Sequence, residues 1–520
     1  MTALKRRDLL RQALLASAAV SLGGWSMRAS TQPRFERDPF SLGVASGYPT
    51  ADGVVLWTRL ATDPLAPDGG MSPAAVPVTW EVSADEQFRR IARRGIAYAE
   101  PEWAHSVHVE VQGLEPARDY WYRFSAGEAR SRIGRTRTAP ATGAALQRLR
   151  IALASCQQYE HGYYVAYRSI VADDPDLIVH VGDYIYELTW GKDLVRHHGA
   201  GECYTLADYR ARHALYRGDP DLAAAHAACP WLLTWDDHEV DNDYAADSSE
   251  EADDPELFRA RRAAAYRAYY EHMPLPRRAA PAGAAMRLYH SSTFGNLLGL
   301  HLLDERQYRS PSPCPRPGRA DTKRAHAEEC PALFDAGRTM LGERQEAWLG
   351  ARLNDSRARW NLLGQGVVMA YVTEEPRPAR LFWTDSWNGY HAARGRLLRQ
   401  LHETRVSNPV VLSGDIHSFV AADLHLEPAD PGTPCVASEL VTTSITSQPP
   451  SEALLRKYSE YNPNVLLATG AARGYMRLDL SSSALQADFV AMETVRQRES
   501  ASRVLASFAI ESGRAGLKTR

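Results

Sequence analysis

Four short apolar runs, each cut off by thiol, carboxylate or imidazole side chains, constrain the fold of this chain more than anything else in it. They cover residues 149–154, 177–181, 231–234 and 409–412. The blocks that end them are Ser155-Cys156-Gln157, Gly182-Asp183-Tyr184-Ile185-Tyr186-Glu187, Trp235-Asp236-Asp237-His238-Glu239-Val240-Asp241-Asn242 and Gly414-Asp415-Ile416-His417. Runs this short and this uniformly apolar read as strands buried on both faces, as in a parallel sheet. Helical patterns at 163–172, 222–228, 257–271 and 344–353 alternate with them. The region is therefore α/β, and its ligands belong beyond the carboxyl ends of the strands. A glycine just ahead of a carboxylate lets the backbone turn tightly and project the acid into a cleft. A multivalent cation needs several such donors together, so these blocks hold the candidate metal ligands.

The 520 residues suit a large catalytic domain with a smaller companion. From 38 to 139 the pattern changes to turn-bounded stretches rich in β-branched and aromatic residues, at 54–59, 76–82, 105–111 and 120–124. These predict an antiparallel β-sandwich of immunoglobulin or fibronectin type. An Ala/Pro/Thr/Gly linker over 138–145 follows, then a catalytic domain over 148–490 and a tail over 491–520 that looks helical from 499. The Pro/Arg-rich stretch 310–330 reads as a surface loop. Cys314 and Cys330 flank it and are one candidate disulfide pair; Cys203 and Cys229 are another, and spacing alone selects neither.

Net charge is −3, from 60 basic and 63 acidic residues. That balance provides no polybasic surface for nucleic acid or anionic membrane, while a small anionic substrate at a metal is still compatible with it. The N-terminus carries Arg6-Arg7 ahead of an uncharged apolar run at 13–24 and small residues near 29–30. This is a twin-arginine signal pattern over 1–30, with an apolar run too short for a stable membrane span. It implies the twin-arginine export machinery as a partner and a periplasmic or secreted location. Such export carries folded proteins, which suits a metal loaded beforehand.

The order of GD..Y, a D-H pair followed by an acid, and GD.H resembles the calcineurin-like metallophosphoesterases. More closely, ASCQ, VGDYIYE, WDDHEVDND and SGDIHSF are similar to the blocks of the PhoD-like alkaline phosphatase and phosphodiesterase family. Further matches are the segments 269–274, 303–309, 342–349 and 444–447. The resemblance implies a four-layer αββα catalytic body. It implies a ferric ion held by Cys156, Asp183, Tyr186 and His417, in agreement with the charge that thiolate, phenolate and carboxylate donors supply to a trivalent ion. It implies calcium held by Asp183, Asp237 and Asp415, with Asp183 shared; oxygen donors suit that hard cation. Asn242, Glu239 and Asp241 are further candidates for the same or a third metal. His238 is implied as the catalytic residue that stabilises the transition-state oxygen or protonates the leaving group.

The expected activity is hydrolysis of small phosphate esters as a phosphatase and phosphodiesterase. A phospholipase D-like phosphodiesterase is the alternative within hydrolases. A catalytically inactive surface-binding protein is the alternative of another class, because fold does not dictate function. A serine hydrolase at Ser413 lacks the GxSxG elbow.

Overall fold

The computed structural model describes residues 33–520 apart from Arg377. The twin-arginine pattern over 1–30 lies outside the described residues. The expected catalytic strands and helices, and the four expected N-terminal strands, all form to within two residues at either end. The helices start where the chemistry of their ends dictates. Asp254 accepts from the backbone N–H groups of Glu256 and Leu257 ahead of Pro255–His272, with proline at the first helical position.

Two large sheets dominate. The first has ten strands, in the order Lys518–Thr519, Ser502–Glu511, Ala484–Met492, Gly474–Ser481, Arg148–Ala154, Leu177–Val181, Trp231–Thr234, Val44–Gly47, Gly53–Arg59 and Ser106–Gln112. Its centre is parallel: Leu177–Val181 pairs in parallel with Arg148–Ala154 on one side and Trp231–Thr234 on the other. Every residue of those last two neighbours, 177–181 and 231–234, is buried, which explains why they read as unbroken apolar runs. The second sheet has seven strands, in the order His290–Phe294, Leu298–Leu302, Trp360–Gly364, Pro409–Ser413, Cys435–Val441, Phe419–His425 and Val465–Thr469. It too is parallel through its centre.

One apolar core joins the two sheets. Ile178, Val179 and Leu232 of the first belong to the same cluster as Leu300, Leu362 and Leu412 of the second. The outer face of the second sheet packs on Gly342–Asp355 and His391–Glu403 through Leu349, Leu353, Leu398 and Val411. Parallel strands share a direction, so the carboxyl ends of 148–154, 177–181 and 231–234 emerge at one edge.

The N-terminal strands divide between two sheets. Ile91–Ala99, Val76–Ser83, Asp119–Ala126 and Ala129–Arg130 form a separate sheet, with Gly134–Arg137 paired to Asp119–Ala126. Its apolar face, including Val78, Val82 and Phe124, packs on Leu56, Val109 and Val111 of the ten-stranded sheet. The link to the catalytic strands is Val44–Gly47, where Gly47 sits opposite Trp231. A Cβ on Gly47 would lie 2.7 Å from the Trp231 carbonyl oxygen and 2.8 Å from that of Pro274, so only glycine fits this approach.

The tail expected to be helical is not. Ser502–Glu511 and Lys518–Thr519 are strands that continue the antiparallel meander at the far end of the first sheet. Burial of Phe508 and Ile510 on alternate positions shows the period of two. Of the two candidate disulfides, Cys314–Cys330 is formed. Cys203 and Cys229 are both free and buried, because each packs as a small apolar side chain in the main core.

Candidate metal centre

Three of the four strand-end blocks line one cavity of about 520 Å³, with Asp183, Asp237, His238, Asn242, Asp415 and His417 among the lining residues; Cys156, from the fourth, lies beneath it beside Asp183 and His417. Sharp backbone turns aim these groups. Cys156, Asp183, Asp415 and His417 all have positive φ, at 57°, 57°, 64° and 52°. That left-handed conformation is unfavourable for side chains with a Cβ, and its repetition at one place marks a functional site. Gly182, at φ 107°, makes the turn ahead of Asp183; a Cβ there would lie 2.4 Å from that of Asp236.

The donors fall into two groups that share Asp183. Ligand atoms of Cys156, Asp183 and His417 all lie within 4.8 Å of one another, as do those of Asp183, Asp237 and His238. Tyr186 closes the first group, its Oη 2.7 Å from Asp183 Oδ2 and 2.9 Å from His417 Nε2. The His417 ring is oriented by its Nδ1, which lies 2.8 Å from the Gln448 carbonyl oxygen, so Nε2 faces the site. Asp415 lines the same cavity without joining either close group.

The electrostatics are those of an anionic pocket without enough positive charge. Burial, and then neighbouring acids, push Asp183 and Asp415 far above the ordinary carboxylate range; a single imidazolium, His238, opposes this at Asp183. Burial and the Asp183 charge likewise push up the Cys156 thiol and the Tyr186 phenol. Asp237 differs. Although burial disfavours its charge, Arg306, His238 and the Asp243 N–H together hold it below the usual range. His238 is pushed up: burial works against its charged form, but Glu187, Asp237 and Asp183 outweigh that. Its Nδ1 lies 2.7 Å from Glu187 Oε2. Asp183 Oδ1 and Asp415 Oδ2 are buried with no hydrogen-bond partner. Orphaned carboxylate oxygens are costly in a protein interior, and cations among them would remove that cost. The residues therefore fit a metal centre.

The further metal candidates point elsewhere or share other partners. Glu239 accepts from the backbone N–H groups of Asp183, Tyr184 and Asp236, so it braces two of the turns. Asp241 pairs with Arg261 at 3.0 Å. Asn242 lines the cavity, and its side-chain nitrogen donates to Glu250 at 2.8 Å.

Sequence reasoning passed over the cation that organises the acids. Arg306, fully buried, makes a bidentate pair with Asp385 at 2.8 Å for each bond and donates through Nε to Asp236 at 2.5 Å. A third carboxylate, Asp237, lies 3.7 Å away. Arg306 belongs to the segment 303–309, whose charge-dense Asp-Glu-Arg in a stretch entering from a buried strand was the available signal. Lys323, Arg324 and Trp383, also at the site, carried no such signal.

Comparison with known proteins agrees with this geometry. Residues 151–489 match the family described as PhoD-like phosphatase, and 25–140 match its N-terminal domain. The chain belongs to the PhoD-like phosphatase family. As a member it is a phosphoric ester hydrolase. It is 43% identical to alkaline phosphatase D of Bacillus subtilis (strain 168) over 512 residues, covering 96% of this chain and 85% of that one. Among solved structures it is similar to one titled "Structure of PhoD", with a TM-score of 0.87 and 42% identity, covering 94% of this chain and 93% of that chain. That likeness extends over a mixed α/β body. No helix among the described residues is long and apolar enough to cross a membrane.

Proposed function

We propose that the chain is an exported, metal-dependent hydrolase of phosphate mono- and diesters, with ferric iron and calcium at the cavity floor. The observation that carries this reading is the convergence of Cys156, Asp183, Tyr186 and His417 beside Asp237 and Asp415, with buried carboxylate oxygens unpartnered. In this reading Cys156, Asp183, Tyr186 and His417 hold the iron, and Asp183, Asp237 and Asp415 hold the calcium. Soft and anionic donors favour the first assignment, and all-oxygen donors the second. When bound, the cations would supply electrophilic polarisation of the phosphoryl group.

The chain's own groups do the rest. His238, protonated and held at Nδ1 by Glu187, keeps a proton at Nε2 for the departing ester oxygen. Arg306 keeps Asp237 ionised and fixes Asp236 and Asp385 around it. The layered body, helices outside two packed sheets, is read as the αββα arrangement, with residues 38–139 as the N-terminal unit. Export through the twin-arginine machinery rests on the residues 1–30 alone.

A phospholipase D-like specificity is the second reading, and one feature favours it. Part of the cavity lining is apolar, with Leu188, Trp190, Ile416, Pro449, Pro450 and Leu454. Metal analysis and a visible spectrum of the purified protein, with rates on 4-nitrophenyl phosphate, bis(4-nitrophenyl) phosphate and phosphatidylcholine, test both. Iron, calcium, a visible charge-transfer band and turnover of the nitrophenyl esters are expected. Iron without a visible band removes the Tyr186 bond, and metal-loaded protein inert on every ester leaves the surface-binding alternative.

A further inference from the structure

A second hollow, of about 400 Å³, lies beside the edge strand His290–Phe294 of the seven-stranded sheet and shares no lining residue with the catalytic cavity. Three arginines converge on it: Arg278 and Arg287 from the segment before the strand, and Arg352 from the helix Gly342–Asp355. No acidic residue lines it. None of the three arginines makes an ion pair among the described residues.

This is unusual in a chain whose charges are nearly balanced. Elsewhere arginines that share a hollow meet acids: Arg135, Arg137 and Arg150 face Asp119, Asp174 and Asp176. The positive charge here is left uncompensated, on three exposed arginines of which two have a partner. Arg278 donates to His290 Nδ1 at 2.9 Å, and Arg287 lies over the Tyr289 ring at 4.8 Å. Trp348 packs on Tyr289 with ring centroids 4.8 Å apart, a rigid aromatic wall behind the guanidinium. Because His290 accepts at Nδ1, its ring is neutral and presents a donor at Nε2. The Thr293 hydroxyl adds a further donor to the lining, whereas Ser291 Oγ is taken up with His301 Nδ1 at 3.0 Å.

We propose that this hollow is a second anion site, which takes a small, multiply charged phosphoryl anion through Arg278, Arg287 and Arg352. Guanidinium groups match phosphoryl oxygens two at a time, and several around one hollow favour a dianion or higher over chloride. The aromatic backing holds Arg287 in place, so less side-chain freedom is lost on binding. Free phosphate and the phosphoryl end of a larger molecule share this chemistry.

The test compares the metal-loaded wild-type protein with R278Q/R287Q/R352Q by calorimetric titration with methylenediphosphonate, which resists hydrolysis, and in parallel with inorganic phosphate. Wild type is expected to take up one equivalent more than the triple variant. Turnover of 4-nitrophenyl phosphate should be equal in the two, since none of the three residues touches the catalytic cavity. Affinity of the extra equivalent should fall at least tenfold between low and high salt. Uptake of the diphosphonate alone identifies a polyphosphoryl ligand, and uptake of both probes identifies free phosphate as sufficient; either supports the site. Equal stoichiometry in the two proteins overturns it. If the triple variant fails to fold, the single variants decide: each should weaken the extra equivalent, and unchanged affinity in all three overturns the proposal.

Discussion

Replacement of Arg306 by methionine tests how the acids of the candidate metal centre are held. The residue is fully buried and, among the described residues, is the one guanidinium within 4 Å of both Asp236 and Asp237, at 2.5 and 3.7 Å; Asp385 keeps a second partner, Arg309, at 2.5 Å. Methionine fills similar volume, so the loss is of charge and of directed hydrogen bonds. Removal of one partner from a buried ion pair destabilises by about 3–5 kcal/mol, because the remaining charges stay desolvated and unpaired. Solvent screening offers little relief, since Asp236, Asp237 and Asp385 have side chains 1%, 3% and 7% exposed. Urea unfolding followed by tryptophan fluorescence, with and without chelator, measures the change. The metal-free protein should lose the full amount, and metal loading should recover part of it, because a cation at Asp237 compensates the same charge. The double variant R306M/D236N should recover stability relative to R306M, with a coupling of about 1–3 kcal/mol. A loss below about 1 kcal/mol without metal, or no coupling to Asp236, would refute the argument that this arginine neutralises the floor of the site.

His238→Ala should lower kcat on an alkyl phosphate by about 10²–10⁴-fold and on 4-nitrophenyl phosphate by much less, because the nitrophenolate needs no proton to leave; equal losses on the two esters would contradict the role. Tyr186→Phe should keep the fold by circular dichroism but lose the visible band. Gly47→Ala should destabilise by about 1–3 kcal/mol through overpacking against the Trp231 and Pro274 carbonyls, read as a lower melting temperature with unchanged metal content.

The positions of the candidate metal donors were legible because the physics is local. A buried parallel strand must be apolar until it ends, and the first polar residues after it must stand at the sheet's carboxyl edge, so Cys156, Asp183, Asp237 and Asp415 announced themselves. The partners of those donors were not legible in that way. Asp236 and Asp237 are adjacent, and only the backbone path decides that the first is hydrogen-bonded by Arg306 while the second, 3.7 Å from it, enters the cavity. Arg306 and Asp385 are 79 residues apart, and no pattern in the chain links them. The tail was misread for a definable reason. Val504 and Phe508 stand four apart, as on a helix face, but Phe508 and Ile510 are the buried pair and Val504 is 47% exposed. The N-terminal strands were found individually, and their division between two sheets was hidden because it depends on the single close approach at Gly47.

The strand that ends in Cys156 has Gly474–Ser481 as one of its two neighbours, and Arg148 bonds to Asp479 across 331 residues of chain. A ribosome that has not yet delivered residues 474–481 has therefore left the thiol-bearing strand paired on one side only. Assembly with so long a closure is slow. The thiol-bearing strand is consequently among the last elements of the central sheet to be held from both sides.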